Sequence, residues 1–376
     1  MTTRFNVSST SLSNRLQTIS RVQSSKNALP ILDCILFELV DGVLKMTASD
    51  SETTMVTTVE VTDADGEGKF AIGAKQLISS VKEISEQPIT FQVDQNTFAI
   101  EITYQNGKYN LIGQNGYEFP VSSSVNDSSR NLSIDAQVMF NGINRSLFAA
   151  ADDELRPQMN GVYFDMTQES ITFVASDGHK LVRNRVFSAH VDEPSAFILP
   201  KKPALLLKAV LPKAEGDAVV RFDDRNAEIQ LTDYTISCRL IEGRYPNYNS
   251  VIPTDNPFRV TADRMAFISA LRRVSVFASQ SSALIKVHVD QGTLTVSAQD
   301  LDFSTSAEEH IMCDYDGTPM SIGFNGPFLI DVLNSINSND IILELADPSR
   351  AGVIMPAEQE ESEDLIMLLM PMMLKD

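Results

Sequence analysis

Cysteine is scarce in this chain, with only Cys34, Cys238 and Cys313 among 376 residues, each standing alone inside an apolar run. No CxxC pair or Cys/His spacing accompanies them, so the expectation is buried reduced thiols and neither a metal nor a cofactor. Long apolar runs are also missing. A membrane helix needs ~18 consecutive apolar residues, and the longest candidate, Leu365 to Met373, is about half that. The opening segment, MTTRFNVSSTSLSNRLQTIS, has no apolar signal-peptide core, so a cytoplasmic protein with no membrane partner is expected. No Gly-x-Ser-x-Gly elbow, phosphate-binding P-loop or metal-ligand cluster occurs, which removes the common signatures of hydrolases, nucleotide-using enzymes and metalloenzymes.

Positive charge is in short supply too. Fifty Asp and Glu against thirty Lys and Arg leave a formal net charge of −20. Such a sum argues against a phosphate-rich partner, because binding to phosphate is driven by Lys and Arg. The distribution reverses that inference. Met1 to Leu32 holds Arg4, Arg15, Arg21 and Lys26 and no acid, Lys201 to Lys213 holds four lysines and no acid, and Glu358 to Asp364 reads EQEESED. Segregation of this kind predicts one positive surface on an acidic body.

A 43% hydrophobic and 21% charged composition is that of a globular protein, and at ~150 residues per domain the length suits two or three units. Internal similarity decides between them. Residues 35–50 (ILFELVDGVLKMTASD), 162–177 (VYFDMTQESITFVASD) and 285–300 (IKVHVDQGTLTVSAQD) each read as a hairpin of alternating strands ending in a small-polar-Asp signal. The aspartates are 127 residues apart (50 to 177) and then 123 apart (177 to 300). Residues 69–84, 196–211 and 319–334 each read as a short strand, a Gly or Pro break and an amphipathic helix. Phe70, Phe197 and Met320 in them repeat the same two intervals. Each copy opens on a helix-like segment, Ser9 to Arg21 (with Ser9 or Ser11 as N-cap), Asp135 to Ala150 and Ala262 to Ala278. Each returns to strands and ends at a proline, Pro120, Pro246 or Pro371. Hairpins that abut one another make this an α+β chain: three repeated domains, 1–121, 131–252 and 253–376, each of two helices backed by antiparallel sheets.

Two readings of the middle copy compete. VASDGHKLV places Ser176, Asp177 and His179 within four residues, inviting a catalytic trio, yet triad members are normally assembled by the fold from distant positions. The aspartate also recurs at Asp50 and Asp300, which favours a copied turn. For the helices, a surface built from all three units collects Arg15, Arg21, Lys26, Lys75, Arg145, Lys201 and Lys202. Each alone suits a solvated face, and together they suit a phosphate-facing one.

With the threefold unit, the SDGHKL turn at Ser176 to Leu181, EGRYPNY at Glu242 to Tyr248, IGFN at Ile322 to Asn325 and the terminal Met370-Pro371-Met372, the whole chain resembles the bacterial sliding clamps, the β subunits of DNA polymerase III. The resemblance implies a head-to-tail homodimer closing a six-domain ring around double-stranded DNA, without sequence preference. It implies no catalysis of its own: the ring tethers a replicative polymerase, and a clamp loader, other polymerases and repair proteins compete for it through a short peptide motif. Carried over, DNA contacts fall on Lys26, Lys75 and, in the segment Asp152 to Gln158, Arg156, beside the basic candidates Arg15, Arg21, Arg145, Lys201 and Lys202. The peptide pocket falls on Met159, Ser176, Gly178, His179, Lys180, Leu181, Pro246, Val251, Met370, Pro371, Met372, Met373 and Leu374. Methionines suit such a site because their flexible chains repack around different anchors. The subunit join would be edge to edge between the first and third domains, with Tyr109 on one side and Val276 and Phe277 on the other. A monomeric three-unit scaffold that binds proteins without encircling DNA is the alternative.

Overall fold

The computed structural model describes residues 2–24, 27–120, 125–126 and 128–374. The chain forms two compact units, Met1–Phe140 with Lys202–Leu240, and Asn141–Lys201 with Ile241–Asp376. Six α-helices occur among the described residues: α1 Ser9–Ile19, α2 Ala74–Val81, α3 Ala136–Ser146, α4 Lys201–Val210, α5 Arg264–Ser275 and α6 Gly326–Ser335. Everything else regular is antiparallel strand or short 3-10 turn.

The three expected hairpins form, with Cys34–Val40 against Val43–Ser49, Gly161–Met166 against Ile171–Ser176, and Leu284–Asp290 against Thr293–Asp300. Alternation explains the burial. Phe37, Leu39, Leu44 and Met46 in the first hairpin, and Val287, Val289, Leu294 and Val296 in the third, face cores from which water is excluded. In the second hairpin the strand Ile171–Ser176 is buried along its whole length, so its six residues show no inside and outside. Aromatic rings fill the interiors: Phe5 stacks on Phe91 at 5.0 Å in the first unit, and Phe164 on Phe197 at 4.5 Å in the second.

Each of α1, α3 and α5 follows directly on a strand, Thr2–Ser8, Arg130–Asp135 and Phe258–Asp263. The last residue of that strand caps the helix: Ser8 Oγ accepts from Ser11 N–H at 3.1 Å, Asp135 Oδ1 from Val138 N–H at 3.0 Å, and Asp263 Oδ1 from Ala266 N–H at 2.6 Å. The N-cap of α1 is therefore Ser8, not Ser9 or Ser11. Ser9 is fully buried, and its hydroxyl donates to the Ser85 carbonyl at 3.0 Å. A run of small polar residues offers several caps, and packing selects the one whose neighbour can turn inward.

Between repeats, the sheets run on. In the first unit the strand Thr53–Glu60 pairs with Tyr234–Arg239 of the central repeat, in the register Thr53↔Cys238 to Thr57↔Tyr234. In the second unit Lys180–Val186 pairs with Glu363–Leu369, from Lys180↔Leu369 to Val186↔Glu363. The central repeat thus contributes strands to both large sheets, of nine and twelve strands. These ladders make Leu111, Cys238 and Leu369 equivalent, since they pair with Ile100, Ala227 and Gly352 at matching places in each copy. The alignment of the three copies on their terminal prolines fails in consequence. Pro371 follows Leu369 by two residues (369 to 371), whereas Pro246 follows Cys238 by eight (238 to 246), because the first two copies spend the difference on an exit segment, containing in the first a 3-10 turn at Gly116–Glu118.

Of the cysteines, Cys34 and Cys238 are buried and Cys313 is half-buried, all unpaired. Burial pushes the Cys238 thiol up to about 12, so it packs as a small apolar group.

Gly142 sits inside α3, where alanine has the higher helix propensity by about 1 kcal/mol. A Cβ there would stand 2.4 Å from the Phe173 ring, and overpacking of this kind costs about 1–3 kcal/mol. Gly142→Ala is expected to lower the thermal midpoint measured by calorimetry; a rise would show that the ring can yield.

Candidate functional site

The turn that follows each hairpin is the same device three times. Asp50 Oδ1 accepts from the Glu52 and Thr53 N–H groups at 3.0 and 2.7 Å, Asp177 Oδ1 from His179 and Lys180 at 2.8 and 2.9 Å, and Asp300 Oδ1 from Asp302 and Phe303 at 3.0 and 3.3 Å. A short carboxylate that satisfies the N–H groups two and three residues on fixes a tight turn. In the middle copy Ser176 Oγ donates to the Lys180 carbonyl at 2.8 Å and accepts from Gly178 N–H at 3.2 Å. The catalytic trio is therefore not assembled. The Ser176 hydroxyl is spent on the backbone, Asp177 is spent on the turn and on the Lys180 ammonium at 2.5 Å, and the exposed His179 has its ring 6.4 Å from that of Phe328.

Burial alone would raise the Asp177 carboxyl, but the Lys180 ammonium and the two turn N–H groups hold it below the ordinary carboxylate range. Lys180 itself is buried, with its ammonium 3.8 Å from the centroid of the Phe328 ring near the start of α6. Phe328 was not singled out in the sequence. Counted from the first residue of each helix, the corresponding places in α2 and α4 carry Gln76 and Pro203, and only the third copy has an aromatic there; the spacing read from the sequence hides this, because the counterpart of Phe70 and Phe197 in the ladders is Ile322 and not Met320.

The ladder Lys180↔Leu369 lays the SDGHKL turn beside the end of the chain's last strand, and Met370 N–H donates to the His179 carbonyl at 2.8 Å. Beneath lies a separate apolar cluster of Val174, Leu181, Ile198, Tyr245, Tyr248, Ala351 and Leu368. Tyr163 stacks on Tyr245 at 4.7 Å, and the Tyr248 hydroxyl donates to Asp165 at 2.7 Å. Around this floor stand exposed apolar groups: Val251 at 56% exposure, Met370 at 41% and Met373 at 91%. Pro246 is exposed, Pro371, Met372 and Leu374 are half-buried, and Met159 is buried. Met372 is tied back by its N–H to the Gly323 carbonyl at 2.8 Å. A Cβ on Gly323 would meet the Met372 carbonyl oxygen at 2.5 Å, so glycine there permits the close approach. Gly178 and Gly243 both hold positive φ, of 89° and 111°, and a Cβ on either would contact Arg156 and Gln158 respectively. Thus the segment around Arg156, read from the sequence as a phosphate contact, packs against this site.

The basic candidates divide into paired and unpaired. Arg15 binds Asp233 at 2.7 Å and lies 5.0 Å over the Tyr234 ring, which holds the Asp233 carboxyl below its ordinary range. Arg145 pairs with Glu363, Lys202 with Asp50, Lys201 with Asp152 at 2.9 Å and Arg156 with Asp153 at 2.8 Å. Arg21 and Lys75 are exposed and make no ion pair among the described residues, while Lys26 lies outside them. Tyr109 is half-buried, with its ring 5.1 Å from that of Tyr104, and Val276 and Phe277 beyond α5 are 79% and 40% exposed. No group of three metal-ligating side chains is found among the described residues.

Three family models match in sequence: the N-terminal domain of the DNA polymerase III beta subunit over residues 3–123, its central domain over 133–247 and its C-terminal domain over 249–372. Curated proteins named beta sliding clamp align along nearly the whole length. That of Pseudomonas putida is 24% identical, covering 96% of this chain and 98% of the relative, and that of Buchnera aphidicola is 25% identical, covering 99% and 100%. Among solved structures, the Pseudomonas aeruginosa sliding clamp bound to griselimycin superposes with a TM-score of 0.93 at 23% identity over 100% of both chains. The Thermotoga maritima beta subunit gives 0.90 at 24% identity, over 99% of this chain and 100% of that one. The chain, with all three domains matched in order, belongs to the DNA polymerase III beta subunit family, the bacterial sliding clamps.

Proposed function

We propose that the chain works in the cytoplasm as a head-to-tail homodimer, with the repeats 1–121, 131–252 and 253–376 of two copies making a ring around duplex DNA. It performs no chemistry. Its effect is to keep a polymerase at high local concentration on the template, so that each dissociation is followed by rebinding in place. The replicative polymerase, the clamp loader and other polymerases or repair proteins dock through an apolar peptide at the site between the SDGHKL turn and Met370 to Leu374.

One observation carries the docking assignment. The ladder from Lys180↔Leu369, continued by the Met370 to His179 hydrogen bond, gathers exposed methionines and Val251 over an apolar floor. A pocket of adaptable apolar groups around a few fixed backbone polar groups is the form expected for short-peptide recognition. His179, in this reading, forms part of the rim, while Lys180 and Asp177 hold the turn.

Attraction to DNA need only be weak, since topology retains the ring and a firm grip would stop it sliding. The ion pairs of Arg15, Arg145, Lys201, Lys202 and Arg156 support this, because a base already facing a carboxylate contributes little net charge. We assign most of the remaining attraction to Lys75, Arg21 and Lys26, and the subunit join to Tyr109, Val276 and Phe277.

Two outcomes follow. Gly323→Ala should push the Met372 to Leu374 segment off its strand and lower the affinity of a fluorescent apolar clamp-binding peptide by ~10-fold or more with little change in melting temperature; unaltered affinity would refute the pocket. In salt titrations of binding to a short duplex, Lys75→Ala should reduce the slope of log K against log salt by about 0.9, the value for one phosphate contact, whereas Lys202→Ala should leave it unchanged. Equal slopes for Lys75→Ala and the parent protein would remove Lys75 from the lining.

A further inference from the structure

Sulfur chemistry at the surface of this chain falls to methionine. The three thiols are withdrawn from it: Cys34 and Cys238 are buried, Cys313 is half-buried, and burial raises all three above the ordinary thiol range, so none supplies the thiolate that oxidants attack. A thioether has no proton to lose, and access to its sulfur decides whether an oxidant reaches it. Four methionines are exposed among the described residues. Met265 on α5 and Met312 in the strand Thr305–Asp314 are 51% and 89% exposed and belong to other parts of the third repeat. Met370 and Met373, at 41% and 91%, stand together around the apolar floor that includes Leu181, Tyr245 and Leu368. The neighbouring sulfurs are shielded. Met159 and Met367 are buried, and Met367 Sδ accepts from the Ser335 hydroxyl at 3.3 Å.

We propose that Met370 and Met373 form an oxidant-responsive site, at which hydrogen peroxide converts the thioethers to sulfoxides and so releases docked partners. This rests on the docking site proposed above and adds a means of regulating it. The step balances without a cofactor. A sulfur lone pair attacks one peroxide oxygen, the O–O bond breaks as the S–O bond forms, and the proton on the transferred oxygen passes to the departing hydroxide, which leaves as water. Sulfur gives up two electrons and the peroxide takes them.

The added oxygen acts on docking and not on folding, because the backbone beneath it is held. Met370 N–H donates to the His179 carbonyl and Met372 N–H to the Gly323 carbonyl, each at 2.8 Å. Those ties do not involve the side chains of Met370 and Met373, so oxidation leaves them in place. For the same reason neither N–H group is free to receive the new oxygen. An apolar anchor seated against a thioether would meet an S–O dipole instead, and burying that dipole without a donor is unfavourable. Flexibility is lost as well, since the pliant apolar chain that repacks around different anchors becomes a polar, chiral one. Enzymatic reduction of each sulfoxide epimer reverses the change, so the site can cycle.

The test uses the full-length chain and a fluorescent apolar peptide that itself lacks methionine and cysteine, with affinity read by anisotropy. After peroxide treatment and removal of the oxidant, mass mapping should place an added oxygen on Met370 and on Met373. The dissociation constant should then rise by ~10-fold, the scale of a buried polar group left unpaired, with no shift in melting temperature. Methionine sulfoxide reductases A and B should restore it. Met370→Leu with Met373→Leu conserves volume and apolarity, so that variant should bind as the parent does and lose the peroxide response, whereas Met265→Leu with Met312→Leu should keep it. A second measurement needs no substitution. Peptide at ~10 times its dissociation constant should slow oxygen uptake at Met370 and Met373 by ~10-fold through mass action and leave Met312 unaffected. Equal rates with and without peptide, or unchanged binding by a protein mapped as oxidised at both sulfurs, would overturn the proposal while the docking site stands. A peroxide response that survives in the Met370→Leu, Met373→Leu variant would do the same. Failure of the untreated chain to bind the peptide would instead remove the docking site, and the regulation with it.

Discussion

Antiparallel backbone pairing between one repeat and the next is the constraint on which the remaining features depend. A repeat of this kind cannot close its sheet upon itself, and its outer strand exposes a row of N–H and C=O groups that water or another strand must satisfy. Joining Thr53–Glu60 to Tyr234–Arg239 and Lys180–Val186 to Glu363–Leu369 satisfies those rows inside the chain. Register then follows from burial, because a displacement by one residue would turn Leu181 and Leu368 out of their shared cluster. The docking site proposed above would be a by-product of the second joint: the strands end together, and whatever follows them must lie side by side.

Local chemistry adapts that joint. The aspartate turn is common to all three copies, so its carboxylate explains shape rather than specificity. Specificity comes from the residues that differ. In the first joint Asp50 takes its second partner from Lys202 at the start of α4, and in the second Asp177 takes it from Lys180, leaving Phe328 at the start of α6 to cover the ammonium. The same carboxylate is thus neutralised by a base from a helix in one place and from its own strand in the other. At the second joint the Phe328 ring is thereby engaged by the ammonium, with the exposed His179 ring 6.4 Å from it.

Much of this was legible in the sequence because period-2 alternation and equal spacing report directly on hairpins and repeats. Residues 35–50, 162–177 and 285–300 announced the hairpins, and the positions of the helices followed from their Gly or Pro breaks. What escaped was whatever depends on a partner distant in the chain. The cap of α1 was misplaced because Ser8, Ser9 and Ser11 look alike until Ser9 meets the Ser85 carbonyl. Proline spacing misaligned the third repeat, since its last strand is followed by a shorter segment before Pro371. The basic residues were read as free charges, whereas Arg145 and Glu363 lie 218 positions apart and only the fold introduces them. Residue type revealed where positive charge was concentrated, but not how much of it was already engaged.

The equivalence of the joints has a consequence for the covalent chain. A strand edge recognises its neighbour by register and burial, and neither depends on whether a peptide bond also links the two repeats. Two repeats could therefore pair alike whether they belong to one polypeptide or to two. Architectures of this kind can gain, lose or redistribute repeats between polypeptides while the folded assembly remains the same, which gives their genes a freedom that a single closed domain does not have.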